Sequence, residues 1–128
     1  MGDRANVAIQ DNGQRVFLYT HWRGSELPEV VREALVKGKD RWTDPPYLAR
    51  IIFDQMTALK GEQTGFGISH QLGDNDKPLL VVNCDDGIVT IEDAGDGLLG
   101  KPRGQVKPLS FDDYAQLPKA TWATLDSG

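Results

Sequence analysis

Cysteine and histidine are both scarce in this chain of 128 residues. Cys84 is the only cysteine, which excludes an internal disulfide and a thiolate metal cluster. The two histidines, His21 and His70, show no spacing typical of a zinc site. We therefore expect neither a metal site nor a cofactor, and a lone cysteine favours the reducing environment of the cytoplasm.

Long apolar runs and an excess of positive charge are also missing. No apolar stretch approaches the ~20 residues that a membrane span needs, and the first ten residues lack the basic and apolar regions of a signal peptide. The net charge of −5 argues against direct nucleic-acid binding, which needs a basic face. We expect a cytoplasmic protein that binds neither membranes nor nucleic acids, and whether it forms a homo-oligomer stays open.

The charge is unevenly distributed along the chain. Residues 1–68 carry nine acidic and nine basic side chains, whereas residues 69–128 carry ten acidic and five basic ones. The balanced first half includes six arginines. A local positive pocket for an anionic ligand is therefore compatible with the acidic chain as a whole.

Turn and helix signals organise the first half of the chain. Asn12-Gly13 separates two segments rich in β-branched and aromatic residues and predicts a β-hairpin over residues 5–22, since both turn residues tolerate a positive φ. Apolar residues at helical spacing then predict one helix that begins near Pro28 and ends at Gly38. The same spacing predicts a second helix, which Asp44 caps and Gly61 ends.

The second half returns to strands. Two alternating segments flank the continuous apolar run of residues 78–84, which is typical of a central strand buried on both faces. Residues 93–108 hold four glycines and two prolines and predict a long loop. A short helix over residues 110–117 and a tail that Trp122 pins down follow.

The order of these elements is ββ-αα-βββ-α. It predicts a single α+β domain over residues 1–128, with a mostly antiparallel sheet of about five strands. Both main helices are expected to pack on one face of that sheet.

Several apparent motifs lack the neighbouring residues or structure that their function requires. Gly95 to Gly100 reads G-x-G-x-x-G, but Pro102 prevents the helix that a dinucleotide site requires. The aspartates between residues 74 and 96 break the spacing of a calcium loop, and no serine lies in a G-x-S-x-G elbow. Cys84 closes an apolar strand and is interpreted as a packing residue rather than a nucleophile.

The segment Y-T-H-W-R-G at residues 19–24 is the strongest candidate for a site. Strand alternation places Tyr19 and His21 on one face, and the hairpin brings Arg4 or Asn6 across from them. Together these side chains offer hydrogen-bond donors, a stacking ring and a titratable imidazole. The alternative interpretation is a solvated strand end with Trp22 folded over the core. The predicted ligand-binding residues are Arg4, Asn6, Tyr19, His21, Trp22 and Arg23.

Five segments, MGDRAN, YTHWRG, DPPYLARIIF, TGFGIS and SFDDY, carry a resemblance to a known group. The chain resembles a largely uncharacterised family of small phage and actinobacterial proteins that begin M-G-x-R-[AS]-[NT] and contain Y-x-H-W-x-G. The resemblance implies an accessory role such as countering host defence. The element order is also similar to the core of N-terminal-nucleophile hydrolases. Removal of Met1 would leave Gly2, which offers no nucleophile, so that likeness concerns the fold alone.

Three functions stay open on the sequence. The leading hypothesis is a protein that binds or sequesters a small anionic, nucleotide-like ligand. Tyr19 or Trp22 would stack on the ring of the ligand, and Arg4 and Arg23 would bind its negative charge. The second is a hydrolase of such a ligand that uses His21 as general acid or base. The third is an interaction module that inhibits a host factor through the acidic surface around residues 74–96.

Overall fold

A computed structural model describes residues 3–58, 65–72, 77–93, 101–102 and 108–126 of the chain. Its strands and helices, in chain order, are β1 (Ala5–Asp11), β2 (Gln14–Thr20), α1 (Leu27–Lys37), α2 (Pro45–Thr57), β3 (Phe66–Ser69), β4 (Leu79–Asn83), β5 (Ile88–Asp93), β6 (Lys101–Pro102), β7 (Leu109–Ser110), α3 (Phe111–Ala115) and α4 (Trp122–Asp126). Short 3-10 turns, Gly24–Glu26 and Lys39–Arg41, precede α1 and α2.

The strands form one mixed sheet. Their order is β3-β2-β1-β4-β5-β6, and β7 also pairs with β5. Among the pairs so described, β1–β4 is parallel and the others are antiparallel. The predicted α+β class, the mostly antiparallel sheet and the two main helices are confirmed.

The sequence underestimates the number of elements. Seven strands are described where about five are predicted, because β6 and β7 have two residues each and are too short to alternate visibly. β6 lies inside the segment 93–108 predicted as a loop, and the rest of residues 94–107 is outside the described part. The predicted tail contains α4, for which Thr121 supplies a cap by accepting the Thr124 N–H at 3.1 Å.

The predicted hairpin is confirmed. Asn12 and Gly13 both have positive φ angles, 54° and 72°, as the tight turn between β1 and β2 requires. The register pairs Asn6 with Tyr19 and Ala5 with Thr20. Strand one therefore brings Asn6 across from Tyr19, as alternation predicts.

Helix α1 has its predicted boundaries and buried face. The buried side chains are Leu27, Pro28, Val30, Val31, Ala34 and Leu35. Gly38 ends the helix, but with a φ of −97° it is not a left-handed cap. Its importance is spatial, since a Cβ there would lie 3.1 Å from Ile51 Cδ1 of α2.

Helix α2 begins where predicted, but Asp44 does not cap it through its side chain. Asp44 occupies the N-cap position without a side-chain hydrogen bond to the helix, and its carboxylate lies 3.5 Å from Arg41 Nη1. Pro45 and Pro46 fill the first two helical positions and have no N–H to offer, which leaves the Tyr47 N–H as the donor for such a cap, and Asp44 does not bond it. The predicted end at Gly61 lies outside the described residues.

Among the described residues the core has two parts, one on each face of the sheet. The larger cluster packs α1, α2 and α3 against one face. A smaller cluster of Ala8, Phe17, Leu79 and Val81 lies on the opposite face, which we call the far face, with Leu72 packed against it. Residues 79–82 of β4 are all buried, so the prediction of a central strand buried on both faces is confirmed.

An ion pair spans the far face. Arg15 of β2 donates from Nη1 and Nη2 to the two carboxylate oxygens of Glu92 on β5, at 2.9 and 2.7 Å. Its Nε donates to Gln10 Oε1 at 3.0 Å. Because β1 and β4 lie between β2 and β5, this pair links strands that are not neighbours.

Asp85 joins the two tight turns at one end of the sheet. Its carboxylate accepts the backbone N–H groups of Asn12 and Gly13 at 2.7 and 3.0 Å. These hydrogen bonds stabilise the charged form and hold the pKa of Asp85 below its ordinary value. Asp85 of this aspartate-rich turn thus connects the β4–β5 turn to the β1–β2 turn.

The C-terminal part is tied to α1 and to its 3-10 turn. Ser110 Oγ accepts the Asp113 N–H at 3.0 Å and caps α3, as predicted. The buried Tyr114 hydroxyl donates to the Pro28 carbonyl at 2.7 Å. Trp122 Nε1 donates to the Gly24 carbonyl at 2.8 Å, so the expected pinning of the tail is confirmed. No helix in the described ranges is both long and apolar enough to cross a membrane.

Candidate functional site

The candidate segment continues from the end of β2, and residues of the stretch 21–25 form hydrogen bonds to Asp3. The Asp3 N–H donates to the His21 carbonyl, and the Gly24 N–H donates to the Asp3 carbonyl, both at 2.7 Å. The Asp3 carboxylate then accepts the Ser25 N–H at 2.8 Å. These bonds fix the backbone of residues 21–25 and thereby the direction of the side chains between them.

Three consecutive contacts join the aromatic residues of this segment. The Tyr19 hydroxyl lies 3.0 Å from His21 Nδ1, and the two rings meet edge to face with centroids 6.3 Å apart. The His21 and Trp22 rings are also edge to face, at 4.6 Å and 80°. We call Tyr19, His21 and Trp22 the aromatic cluster. Trp22 remains 45% exposed, so it is not folded over the core.

A cleft of about 310 Å³ opens beside the cluster, against the edge strand β3. Its described lining residues are Asn6, Tyr19, Gly67, Ile68, Ser69, Gln71 and Leu72. We call it the β3 cleft. It has an apolar wall from Tyr19 and Leu72 and polar groups from Asn6, Ser69 and Gln71, a combination found in small-molecule sites.

The structure brings part of the predicted set together. Asn6 and Tyr19 line the β3 cleft, and His21 and Trp22 are joined to Tyr19 by the ring contacts described above. The β1–β2 pairing ends at Ala5 and Thr20; beyond it the Asp3 N–H bonds the His21 carbonyl, one residue out of the strand register, so that register does not place Arg4. Of the predicted residues, Arg4, His21, Trp22 and Arg23 are not among the described residues that line the cleft.

Arg23 lies in the segment but is engaged locally. Its guanidinium donates to the Glu26 carboxylate at 3.1 Å, and its N–H donates to Thr20 Oγ1 at the same distance. A ligand anion would compete with Glu26 for this side chain. Arg23 is therefore a weaker candidate ligand than the sequence suggests.

The part of the cleft formed by β3 could not be predicted from the sequence. The segment T-G-F-G-I-S-H is predicted as a strand, but no local pattern shows that it pairs with β2. The observed register sets Gly67 opposite Tyr19 and Ser69 opposite Phe17. Gly67 has nothing within 4 Å of the position of a Cβ, which keeps the cleft open beside the Tyr19 ring.

Cys84 is unsuited to nucleophilic catalysis. The thiol is half-buried, and burial together with the negative charges of Asp11 and Asp85 raises its pKa to about 11. Thiols react as thiolates, which are scarce when the pKa is so high. The interpretation of Cys84 as a packing residue agrees with this environment.

We expect iodoacetamide to alkylate Cys84 roughly a hundredfold more slowly at neutral pH than an ordinary thiol, because the thiolate fraction falls tenfold per pKa unit. The rate should climb with pH up to about 11. Mass spectrometry of timed samples measures it, and urea-unfolded protein is the control. A folded-state rate that levels off near the ordinary thiol pKa would contradict the expectation.

Within the described ranges, no group of three or more histidine, cysteine, aspartate or glutamate side chains is placed to hold a metal ion. Comparison of the chain with protein-family models, with curated proteins and with solved structures gives no match. The resemblance to the phage and actinobacterial family therefore stays a prediction, and the function has to be argued from the geometry of the site.

Proposed function

We propose that the protein binds a small ligand with an aromatic ring and an anionic group, such as a nucleotide, at the aromatic cluster and the β3 cleft. The observation that carries the proposal is the aromatic cluster itself. The bond from Tyr19 to His21 and the edge-to-face contact between His21 and Trp22 hold three rings in fixed orientations, and one of these rings, Tyr19, lines the cleft. A ring held in place in advance stacks on a ligand with little further loss of entropy.

Stacking is assigned to Trp22. Large aromatic side chains usually bury most of their surface, whereas Trp22 keeps 45% exposed although it contacts the His21 ring. An exposed indole can stack on the ring of any nucleobase.

Polar recognition is assigned to the β3 cleft and to Arg4. The exposed Ser69 and Gln71 supply hydroxyl and amide groups that can bond the edge of a heterocycle; Asn6 lines the cleft but is buried. Arg4 directly precedes β1 and follows Asp3, whose N–H bonds the His21 carbonyl, and a guanidinium there can hold a phosphate or carboxylate by two parallel hydrogen bonds. The small volume of the cleft suits one such ligand.

Calorimetry and thermal denaturation with a panel of nucleotides test this proposal. The matching nucleosides and inorganic phosphate separate ring binding from charge binding. A ligand at a hundred times its Kd should add about 2.7 kcal/mol to the free energy of unfolding. Trp22→Ala and Arg4→Ala should each weaken binding by about tenfold or more.

Two exposed residues of α2 provide matched controls. Tyr47 is 50% exposed, and the Arg50 side chain is 62% exposed in an ion pair with Asp54. Tyr47→Ala and Arg50→Ala should leave the affinity unchanged. Equal losses in Trp22→Ala and Tyr47→Ala, or no change in melting temperature across the whole panel, would overturn the proposal.

A hydrolase is the second candidate, and the Tyr19–His21 bond favours it. The hydroxyl occupies Nδ1, so Nε2 is the atom that would exchange a proton with a ligand, as in sites where a partner orients a catalytic imidazole. Prolonged incubation with the bound nucleotide and chromatography of the products distinguish the two functions. Intact ligand indicates sequestration, whereas turnover that His21→Ala abolishes indicates hydrolysis.

We expect a protein that sequesters or removes a nucleotide to act in the cytoplasm, and an accessory role such as countering host defence fits that activity. The remaining hypothesis, an acidic interaction surface around residues 74–96, receives no comparable geometric support from the described residues.

A further inference from the structure

A second cleft lies at the opposite end of β1, outside the carboxyl ends of the two parallel strands. Asp11 is the last residue of β1, Cys84 follows β4, and the Cys84 N–H donates to the Gln10 carbonyl at 2.9 Å. From here β1 turns back into β2 on one side, and β4 turns into β5 on the other. Turns that diverge from parallel neighbours leave a crevice between them, and such crevices are frequent binding sites in open sheets.

Aromatic side chains wall this cleft, whose volume is about 510 Å³. Trp42 and Phe111 both line it, and their rings meet edge to face with centroids 5.9 Å apart. Trp42 Nε1 donates to the Leu35 carbonyl at 2.9 Å. The indole is thus fixed to α1 and its N–H is already bonded, so the ring offers the cleft a rigid apolar surface.

The charge inside the cleft is negative. Asp11 and Asp112 are among its lining residues. The negative charges of Asp11 and Asp85 also help to raise the pKa of the Cys84 thiol, which lines the same space. Asp85 is bonded to the backbone of the β1–β2 turn, so Asp11 and Asp112 are the carboxylates that contribute to the lining; the Asp112 carboxylate also accepts an N–H of Gln116 at 2.9 Å.

Arg41, in the 3-10 turn before α2, contacts other residues than those of the cleft. The Arg41 guanidinium lies 4.6 Å from the centre of the Tyr47 ring and 3.5 Å from the Asp44 carboxylate. It does not line the cleft. Among the described residues that line the cleft, none is an arginine or a lysine.

Two aromatic rings and two carboxylates line the same cleft, and this combination favours one class of ligand. An anion would be repelled, and a neutral apolar group would desolvate the carboxylates without compensation. We infer that the cleft between Trp42 and Phe111 binds a small organic cation, whose apolar body covers the rings and whose ammonium or guanidinium group meets Asp11 and Asp112. A cation held over an aromatic face gains further from the ring quadrupole. This inference is independent of the nucleotide-like ligand proposed above.

Calorimetry with choline and with its uncharged isostere 3,3-dimethylbutanol tests the inference on the unmodified protein. Agmatine and spermidine extend the test to guanidinium and primary ammonium groups. At least one of the three cations should bind saturably, protect Cys84 from alkylation and quench tryptophan fluorescence. If choline binds, it should do so about tenfold or more tightly than its isostere.

Substitution of the carboxylates localises the site. Asp11→Asn with Asp112→Asn should weaken cation binding by about tenfold or more, whereas Asp113→Asn, a neighbour on α3 that does not line the cleft, should change it less than about twofold. Comparable binding of choline and its isostere, unchanged affinity in the double variant, or no saturation by any cation at about 10 mM would overturn the inference. The comparison of choline with its isostere uses the unmodified protein, so it tests the need for a positive charge even if a substitution impairs folding.

Discussion

Replacing Arg15 with methionine is expected to lower the free energy of unfolding by about 3 kcal/mol. Methionine keeps much of the aliphatic volume but removes the guanidinium that bonds both oxygens of Glu92. The Glu92 side chain is only 11% exposed, so its carboxylate would stay largely out of water without its partner. The Arg15 side chain is 25% exposed, which sets the loss at the lower end of the range for buried ion pairs. Urea denaturation measures it.

The double variant Arg15→Met, Glu92→Met separates the lost pair from lost packing. Removing both charges should recover at least half of the loss, because the cost comes from the unpaired carboxylate rather than from the missing attraction. Arg50→Met is the control, since its ion pair with Asp54 is exposed and should contribute about 0.5 kcal/mol or less. Additive effects of the two far-face substitutions would contradict this account.

This ion pair also marks the limit of sequence reasoning about the fold. Alternation assigns Arg15 to the face of Phe17 and Tyr19, which local geometry decides. Its partner Glu92 lies 77 positions away, and the pair exists only because β1 and β4 associate in parallel between their two hairpins. Which strands become neighbours depends on the packing of the whole domain, and no local pattern encodes it.

Local chemistry accounts for the elements that sequence does predict. Asn12-Gly13 tolerates positive φ angles, so the first hairpin and its register follow from two residues. The boundaries of α1 follow from Pro28, the apolar face and Gly38. The missing cap on α2 shows the opposite case: Asp44 has the residue type and the position of a cap, but its side chain makes no hydrogen bond to the helix.

The candidate site divides in the same way. Alternation and the hairpin register predict that Tyr19 and His21 share a face and that Arg4 or Asn6 lies across from them. Asn6 is observed opposite Tyr19, and the Tyr19 hydroxyl contacts His21 Nδ1. The wall formed by β3 was not predictable, because it depends on the pairing of β3 with β2. The ion pair of Arg23 with Glu26 follows from i, i+3 spacing in the turn before α1, a signal that was present in the sequence.

Gly24, the last residue of Y-T-H-W-R-G, has a structural role that the motif does not reveal. A Cβ at this position would lie 2.5 Å from the carbonyl oxygen of Asp3 and 3.0 Å from the Cβ of Ala5. The same Asp3 carbonyl accepts the Gly24 N–H. The side chain would therefore collide with the backbone group that its own N–H needs.

Gly24→Ala is accordingly expected to lower the free energy of unfolding by about 3 kcal/mol and the melting temperature by about 10 °C. The backbone of Asp3 has to move to admit the methyl group, and Asp3 also holds the His21 carbonyl. The substitution should therefore loosen the aromatic cluster as well. Calorimetric melting gives the stability, and near-ultraviolet circular dichroism reports the packing of Trp22 against His21.

Gly67→Ala is the matched control for this effect. Gly67 is a strand glycine with nothing within 4 Å of its added Cβ, so alanine there should leave the melting temperature within about 2 °C of the parent. If Gly24→Ala melts like Gly67→Ala, Asp3 moves aside at little cost and the backbone around His21 is not rigid. The aromatic cluster would then be assembled by a ligand rather than held ready for one, and its affinity would have to cover that ordering cost.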